Sequence, residues 1–207
     1  MLISNISKAY GKHMILNDVS IDIQKGMIIG ILGINGSGKS TLLSCLAQNK
    51  SLRDENIIGY VPQEHPLFDE LKPIDNIRMW TKLNKKEITA ALSHDLLKPL
   101  GIADFLDVPV NKMSGGMKKR LSIACALINE PDVILMDEPF ASLDLIAKQD
   151  VINYVNHFKR NNKAVVIASH DENIFDFCDK IYLLKNTKLY DTADYKIDKS
   201  YIELLRS

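Results

Sequence analysis

Residues 33–40 read "GINGSGKS" and fit the pattern G-x-x-x-x-G-K-[ST]. Glycines at these positions let consecutive backbone N–H groups turn inward around a phosphate, and a helix starting behind them adds its positive end. In that geometry Gly33, Ile34, Asn35, Gly36, Ser37 and Gly38 wrap the anion, and Thr41 continues the set into the helix. Lys39 reaches the β- and γ-phosphates, and Ser40 holds Mg²⁺. The flanks suit the task, because "MIIGILG" leads in as a strand and "STLLSCLA" leads out as a helix.

A second chemical cluster closes the apolar run "VILMDEP", where Asp137 and Glu138 stand together. Ligands of parallel sheets sit beyond the strand C-termini, so both acids can face the phosphate loop. Asp137 suits the hydration shell of Mg²⁺, and Glu138 can orient a water for in-line attack. "AVVIASH" ends a third strand with His170 on the same edge, within reach of a phosphate oxygen or the attacking water. Gln63, after "IIGYVP", offers an amide for Mg²⁺ or for the γ-phosphate, or is an ordinary loop residue. Tyr10, in "KAYGK", offers a ring for an adenine, or packs on the surface.

The elements that must position these residues are legible around them. The runs 27–33, 132–138 and 164–170 are short and nearly continuously apolar, as strands covered on both faces are. Helical patterns separate them: "STLLSCLA", "MKKRLSIACALI" and "LIAKQDVINYVNHFKR". Strand alternating with helix predicts an α/β fold of the phosphate-loop NTPase kind, with a mostly parallel sheet. "LISNISKAY" and "MILNDVSIDIQ" alternate instead, as half-exposed strands of a small N-terminal antiparallel sheet. Between about 64 and 122 the chain changes character. Prolines recur there, and two helical patterns are expected, one over Ile77, Trp80 and Leu83 and one over Ile88, Leu92, Leu96 and Leu100. This reads as a helical subdomain inserted between core segments 1–63 and 123–207 of a single domain spanning 1–207. A turn and a short helix are expected over the last 17 residues, "DTADYKIDKSYIELLRS".

With 26 basic and 26 acidic residues among 207, the formal charge is zero, which argues against nucleic-acid binding by bulk electrostatics. The first residues lack the charged-then-apolar layout of a secretion signal, and no apolar run approaches a membrane span. Cys45, Cys125 and Cys178 are widely spaced among apolar residues, as free thiols in a reducing compartment are. The basic "KKR" at 118–120 reads as a solvated helix face.

The ordered set of Tyr10, "GINGSGKST", "VPQ", "MSGGMKKRLSIACAL", "VILMDEP", "ASLD" and "ASH" resembles the ATP-binding cassette (ABC) family, the ATPase subunits of ABC transporters. The likeness runs from Leu2 to about Leu189, and Ser114, Gly115 and Gly116 are similar to that family's signature motif. The resemblance implies two copies paired head to tail, with each ATP between one copy's phosphate loop and the other's Ser114 and Gly116. It implies Glu138 as general base, His170 as a phosphate-contacting switch and Gln63 as a link from the γ-phosphate to the helical subdomain. Asp144 matches the residue along the dimer seam, and Ser40, Gln63 and Asp137 the surroundings of Mg²⁺. Two departures stand out: Met117 follows Ser-Gly-Gly where Gln is usual, and Met113 replaces a common Leu. Nucleotide binding is expected to survive them, with slower hydrolysis. The segment from Lys39 to Gln63 is also short, as if a peripheral hairpin were absent.

The expected function is therefore that of an ATP-binding and ATP-hydrolysing subunit. It would act as a homodimer or with a similar subunit, with ATP and Mg²⁺ as cofactors, and would drive a separate transmembrane permease. It would be cytoplasmic, held peripherally at the inner face of the cell membrane by that partner, through an apolar recess near Leu67, Phe68, Leu71 and Trp80. The rivals are a soluble ABC-type ATPase used in assembly or regulation, and a nucleotide-binding regulator with little turnover.

Overall fold

The computed structural model describes residues 1–49, 57–64, 66–171 and 176–194. Along the chain run β1 (Leu2–Tyr10), β2 (His13–Asp22), β3 (Ile28–Leu32), α1 (Lys39–Ala47) and β4 (Ile58–Val61). There follow α2 (Pro73–Arg78), α3 (Lys85–Leu92), α4 (Gly115–Leu127), β5 (Val133–Asp137) and α5 (Leu145–Arg160). The last elements are β6 (Ala164–Ser169), β7 (Lys180–Lys185) and β8 (Lys188–Asp191). Short 3₁₀ turns lie at Lys98–Leu100, Ile102–Phe105, Val110–Lys112 and Thr192–Asp194.

The main sheet is six-stranded, in the order β4-β5-β6-β3-β7-β8, and only β8 is antiparallel to its neighbour. β1 and β2 form a separate antiparallel pair. Every residue of β3, β5 and β6 is buried, which explains their nearly continuous apolar composition, broken only by Asp137 and Ser169 at the C-terminal ends of β5 and β6. The pleat then divides each run between two cores. Ile29, Ile31, Leu135 and Val166 face α1 and the small sheet, through Leu42, Leu43, Leu46, Leu16 and Ile21. Ile28, Leu32, Ile134, Met136 and Ile167 face α4, α5 and the helical insertion. Because the strands are parallel, their C-terminal ends form one edge, and the loops after β3, β5 and β6 meet there.

The insertion departs from the expected pattern. α2 ends at Arg78, so Trp80 is not helical and is 48% exposed, while Ile77 is fully buried. The series Ile88–Leu92–Leu96–Leu100 is not one helix. α3 stops at Leu92, Ser93 and His94 donate to Ala90 O and Ala91 O, and the chain turns again before Pro99, which has no N–H to continue a ladder. All four of these side chains still join the larger core, so the apolar spacing reported burial correctly and the helix incorrectly. Fully buried Asn76 secures the entry to the insertion: its Oδ1 accepts from Phe68 N at 2.8 Å, and its Nδ2 donates to Phe68 O at 3.2 Å and Lys72 O at 3.3 Å. α4 continues without a break through residue 122, so that helix belongs to insertion and core alike. Most of the expected C-terminal helix, and the middle of the short Lys39–Gln63 segment, lie outside the described residues.

Candidate functional site

The loop between β3 and α1 can form only with glycine at two of its positions. A Cβ on Gly33 would lie 2.5 Å from Ser37 Oγ and 2.9 Å from Leu184 O. Gly38 has φ +105°, and a Cβ there would lie 2.8 Å from Ile15 Cγ2. Lys39 opens α1 at 6% exposure. Its ammonium donates to Gly33 O at 2.8 Å and Ile34 O at 3.2 Å, and stands 3.8 Å from Glu138 Oε1. Burial lowers its pKa, and the charges of Glu138 and Asp137 oppose that fall.

Glu138 leaves β5 with φ +43°, a strained conformation for a non-glycine residue, held by its N–H bond to Ala168 O at 2.9 Å. Its carboxylate is fixed at both oxygens. Ser169 Oγ donates to Oε2 at 2.8 Å, and His170 Nδ1 is 2.8 Å from Oε1. Asp137, 2% exposed, has an Oδ1 with no partner among the described residues. Burial raises its pKa, and a hydrogen bond from Ser40 works against the rise. An unsatisfied buried carboxylate oxygen beside a serine hydroxyl, at the rim of a phosphate loop, fits a hard divalent cation shared with phosphates.

One open cavity of about 420 Å³ brings together Tyr10, Asn35, Gly36, Gly38, Lys39, Ser40, Thr41, Gln63, Glu138 and His170, whereas Gly33, Ile34, Ser37 and Asp137 are not in its lining. Tyr10 is 58% exposed at its mouth. Ser114, Gly115, Gly116 and Asp144 are not in its lining. Ser114 caps α4, its Oγ accepting from Met117 N at 3.2 Å, and Asp144 caps α5, its Oδ1 accepting from Ala147 N at 2.8 Å. The two helix starts pack together, since a Cβ on Gly116 would lie 3.1 Å from Ala147 Cβ. One chain therefore carries a phosphate-loop cavity with buried charges and, apart from it, an open helix N-terminus aimed outward.

The basic run at 118–120 is not the solvated face the sequence suggested. Lys119 is 1% exposed, because it shares a stripe of α4 with Ile123 and Leu127. Burial holds its pKa down at about 8, against the attraction of Asp137. Lys118 pairs with Asp69 at 3.3 Å, and Arg120 lies over the Phe105 ring at 5.2 Å. Met113 is buried and Met117 packs against the core, so both departures from the family pattern are filled by apolar contact. Ser169 was missed as a site residue, although its place before His170 on a strand end puts it on the catalytic edge. No disulfide joins the three cysteines; Cys125 is buried and Cys45 and Cys178 partly so.

A glycine-rich phosphate loop at the C-terminal edge of a parallel sheet, facing two strand-end carboxylates, defines a phosphate-loop nucleotide-binding protein. The family model described as ABC transporter matches residues 16–141, and the chain belongs to that family, whose ATP-binding cassettes hydrolyse ATP. The chain is 34% identical to the lantibiotic transport ATP-binding protein SrtF of Streptococcus pyogenes, over 87% of this chain and 86% of that one. It is 33% identical to the lipoprotein-releasing system ATP-binding protein LolD of Rickettsia bellii, over 91% and 96%. Among solved structures, an ATP-binding subunit of an ABC transporter superposes with a TM-score of 0.80 at 21% identity, over 99% and 97% of the two chains, a likeness of fold. A dimeric bacterial ABC transporter cassette superposes with a TM-score of 0.75 at 26% identity, over 91% and 96%.

Proposed function

We propose that the chain is the ATP-hydrolysing subunit of an ABC transporter, pairing with a second cassette around two ATP and driving a separate membrane subunit. The observation that carries the chemistry is the Glu138 carboxylate, fixed at 2.8 Å from both Ser169 Oγ and His170 Nδ1 and 3.8 Å from Lys39 Nζ. Lys39 is the phosphate-binding cation. Nucleotide would replace the carbonyls of Gly33 and Ile34 as its partners. Glu138 takes the proton of the attacking water, Ser169 and His170 hold its orientation, and Gln63, which lines the same cavity, would face the γ-phosphate. Ser40, Asp137 and the Gln63 amide would hold Mg²⁺, which neutralises charge on the β- and γ-phosphates. Ser114 and the N–H groups of Gly115 and Gly116 complete the γ-phosphate site of the second subunit.

No helix among the described residues is long and apolar enough to cross a membrane, and in the proposed transporter a separate subunit supplies the span. Of the four residues expected to form a docking recess, only Trp80 lines the groove of about 570 Å³ that it shares with Ile58, Tyr60, Pro62, Cys125 and Asn129, while Leu67 packs on the core; this groove suits a short apolar helix of a membrane subunit. Docking there would hold this subunit at the inner face of the cell membrane. SrtF and LolD, whose names place them in transport and lipoprotein release, support this reading over a soluble role. The test is co-purification of the chain from membranes with an integral membrane protein, together with ATPase activity of the complex. Recovery only from soluble assemblies would replace the transporter reading with the soluble one.

A further inference from the structure

Lys119, on α4, is buried although the reaction proposed above gives it no part. Its place against the sheet follows from packing and register. A Cβ on Gly59 of β4 would lie 2.4 Å from Ala126 O, so α4 presses on β4 at that level. The chain leaves α4 at Leu127 and enters β5 at Val133, whose N–H donates to Ile57 O, so α4 runs antiparallel to the strands. Lys119 lies two turns back from Ala126 on the same face, about 10 Å along the helix. Along β4 that distance is about three residues, from Gly59 to Pro62. Val61 pairs with Met136, so Pro62 is level with Asp137. Lys119 thus stands at the C-terminal edge of the sheet beside that carboxylate, and the two charges attract each other.

Two ammoniums and two carboxylates are therefore buried around one cavity: Lys39 at 6% exposure, Lys119 at 1%, Asp137 at 2% and Glu138 at 7%. Their charges sum to zero. A bare divalent cation entering this set would leave two uncompensated positive charges largely out of water, which is strongly unfavourable. The same cation arriving with the phosphates of ATP brings its own compensation. We propose that Lys119 acts with Lys39 as a resident counter-cation to Asp137 and Glu138, so that the nucleotide-free site rejects free Mg²⁺ and takes the metal only together with nucleotide phosphates. The inference rests on Asp137 being a Mg²⁺ ligand, as proposed above, and makes Lys119 a specificity-determining residue that acts through Asp137 without touching nucleotide. It also explains why a charge is kept on this stripe of α4, where a methionine of similar volume would fill the same space without the cost of burying an ammonium.

The test is Mn²⁺ binding to the full chain at pH 7 without nucleotide, read by the electron paramagnetic resonance of the free ion. Wild type should bind Mn²⁺ weakly. Lys119→Met and Lys119→Gln, which both remove the charge but differ in polarity, should each bind it about tenfold tighter or more, since like charges this close repel strongly. Lys119→Arg should behave as wild type, and adding Asp137→Asn to Lys119→Met should abolish the gain. Neutral variants that bind Mn²⁺ no better than wild type overturn the proposal, as does a gain that survives Asp137→Asn. Tight binding by wild type itself overturns it too. A separate arm holds ATP below the protein concentration, so that all of it is bound. A protein-bound Mn²⁺–ATP signal that Asp137→Asn alone leaves unchanged would remove Asp137 as a ligand, and the role of Lys119 with it.

Discussion

Around the cavity, Lys39 at the start of α1 and Asp137 and Glu138 at the end of β5 are each less than a tenth exposed, whereas Ser114, Gly115 and Asp144 lie open to solvent on two helix starts. The first region takes charges out of water and fixes them with neighbours: Gly33 O for the lysine, Ser40 for Asp137, Ser169 and His170 for Glu138. The second holds its backbone in place by single caps and keeps its N–H groups facing outward. Such asymmetry is what a shared site requires. The chemistry must be preorganised inside one chain, because reorganising buried charge is slow and expensive. On the proposed pairing, the completing half stays open because its ligand arrives with another molecule. The sharpest way to break this comparison is to change one region and look for effects in the other.

The largest effect belongs to Glu138→Gln. An amide cannot accept the water's proton, so turnover should fall by about 10²–10⁴-fold. Nucleotide affinity should hold, because Lys39 and the loop are untouched. Steady-state phosphate release and nucleotide titration on the same preparation check both halves of the statement. Unchanged turnover would remove Glu138 as the base.

Lys119 sharpens the contrast from inside the fold. Its ordinary pKa near 10.4 in the unfolded chain falls to about 8 when buried. Between those values the unfolded chain binds more protons than the folded one, so this group makes stability rise with pH from about 8 to 10.4. Below pH 8 the folded protein carries a buried ammonium at a cost of about 3 kcal/mol, from roughly 1.4 kcal/mol per pKa unit. Tyr60 and Cys125, both pushed up to about 12, act in the opposite direction, so the lysine must be isolated by difference. Urea denaturation of wild type and Lys119→Met at pH 7.5 and 10.5 should show the variant's relative advantage shrinking by about 3 kcal/mol. A constant gap would mean that the ammonium reaches water.

For Lys39→Ala, ATP affinity should fall by about 10–100-fold, or 1.4–2.7 kcal/mol, as one charge-assisted phosphate contact is lost. Fluorescent-nucleotide titration measures this in single copies, where Ser114–Gly116 play no part. A loss that appears only once copies pair would mean that the two regions bind nucleotide jointly from the outset.

Much of this arrangement was readable in the chain. The phosphate loop is legible because glycine is needed at its tight positions, and β3, β5 and β6 because burial on both faces leaves polar residues only at their C-terminal ends. Asp137, Glu138 and His170 followed from parallel topology, which gathers strand ends on one edge. What was not legible depends on tertiary contact. Nothing in "KKR" distinguishes Lys119 from its neighbours until α4 packs against β5. The helix over Ile88–Leu100 failed because apolar spacing reports burial, and backbone hydrogen bonds around Ser93 and Pro99 decide the rest. Ser169 was hidden for a similar reason, since a serine ending an apolar strand looks like a boundary residue until its hydroxyl meets Glu138.

Ser114 gives the smallest effect and the finest discrimination. Ser114→Ala removes the acceptor for Met117 N, which should lower folding stability by about 1 kcal/mol. On the proposed pairing the same change also removes one donor to the partner's γ-phosphate, which should weaken the ATP-bound Glu138→Gln dimer by about tenfold. The two losses have different causes and can be separated with Ser114→Asp. Aspartate is as good a cap, so stability should return to within a few tenths of a kcal/mol of wild type. Its negative charge would face the partner's phosphate, so pairing should weaken further than in the alanine variant. Chemical denaturation and ultracentrifugation of the three proteins therefore rank them in different orders if the α4 start is both a cap and half of a shared site. Identical orders would reduce Ser114 to a cap alone.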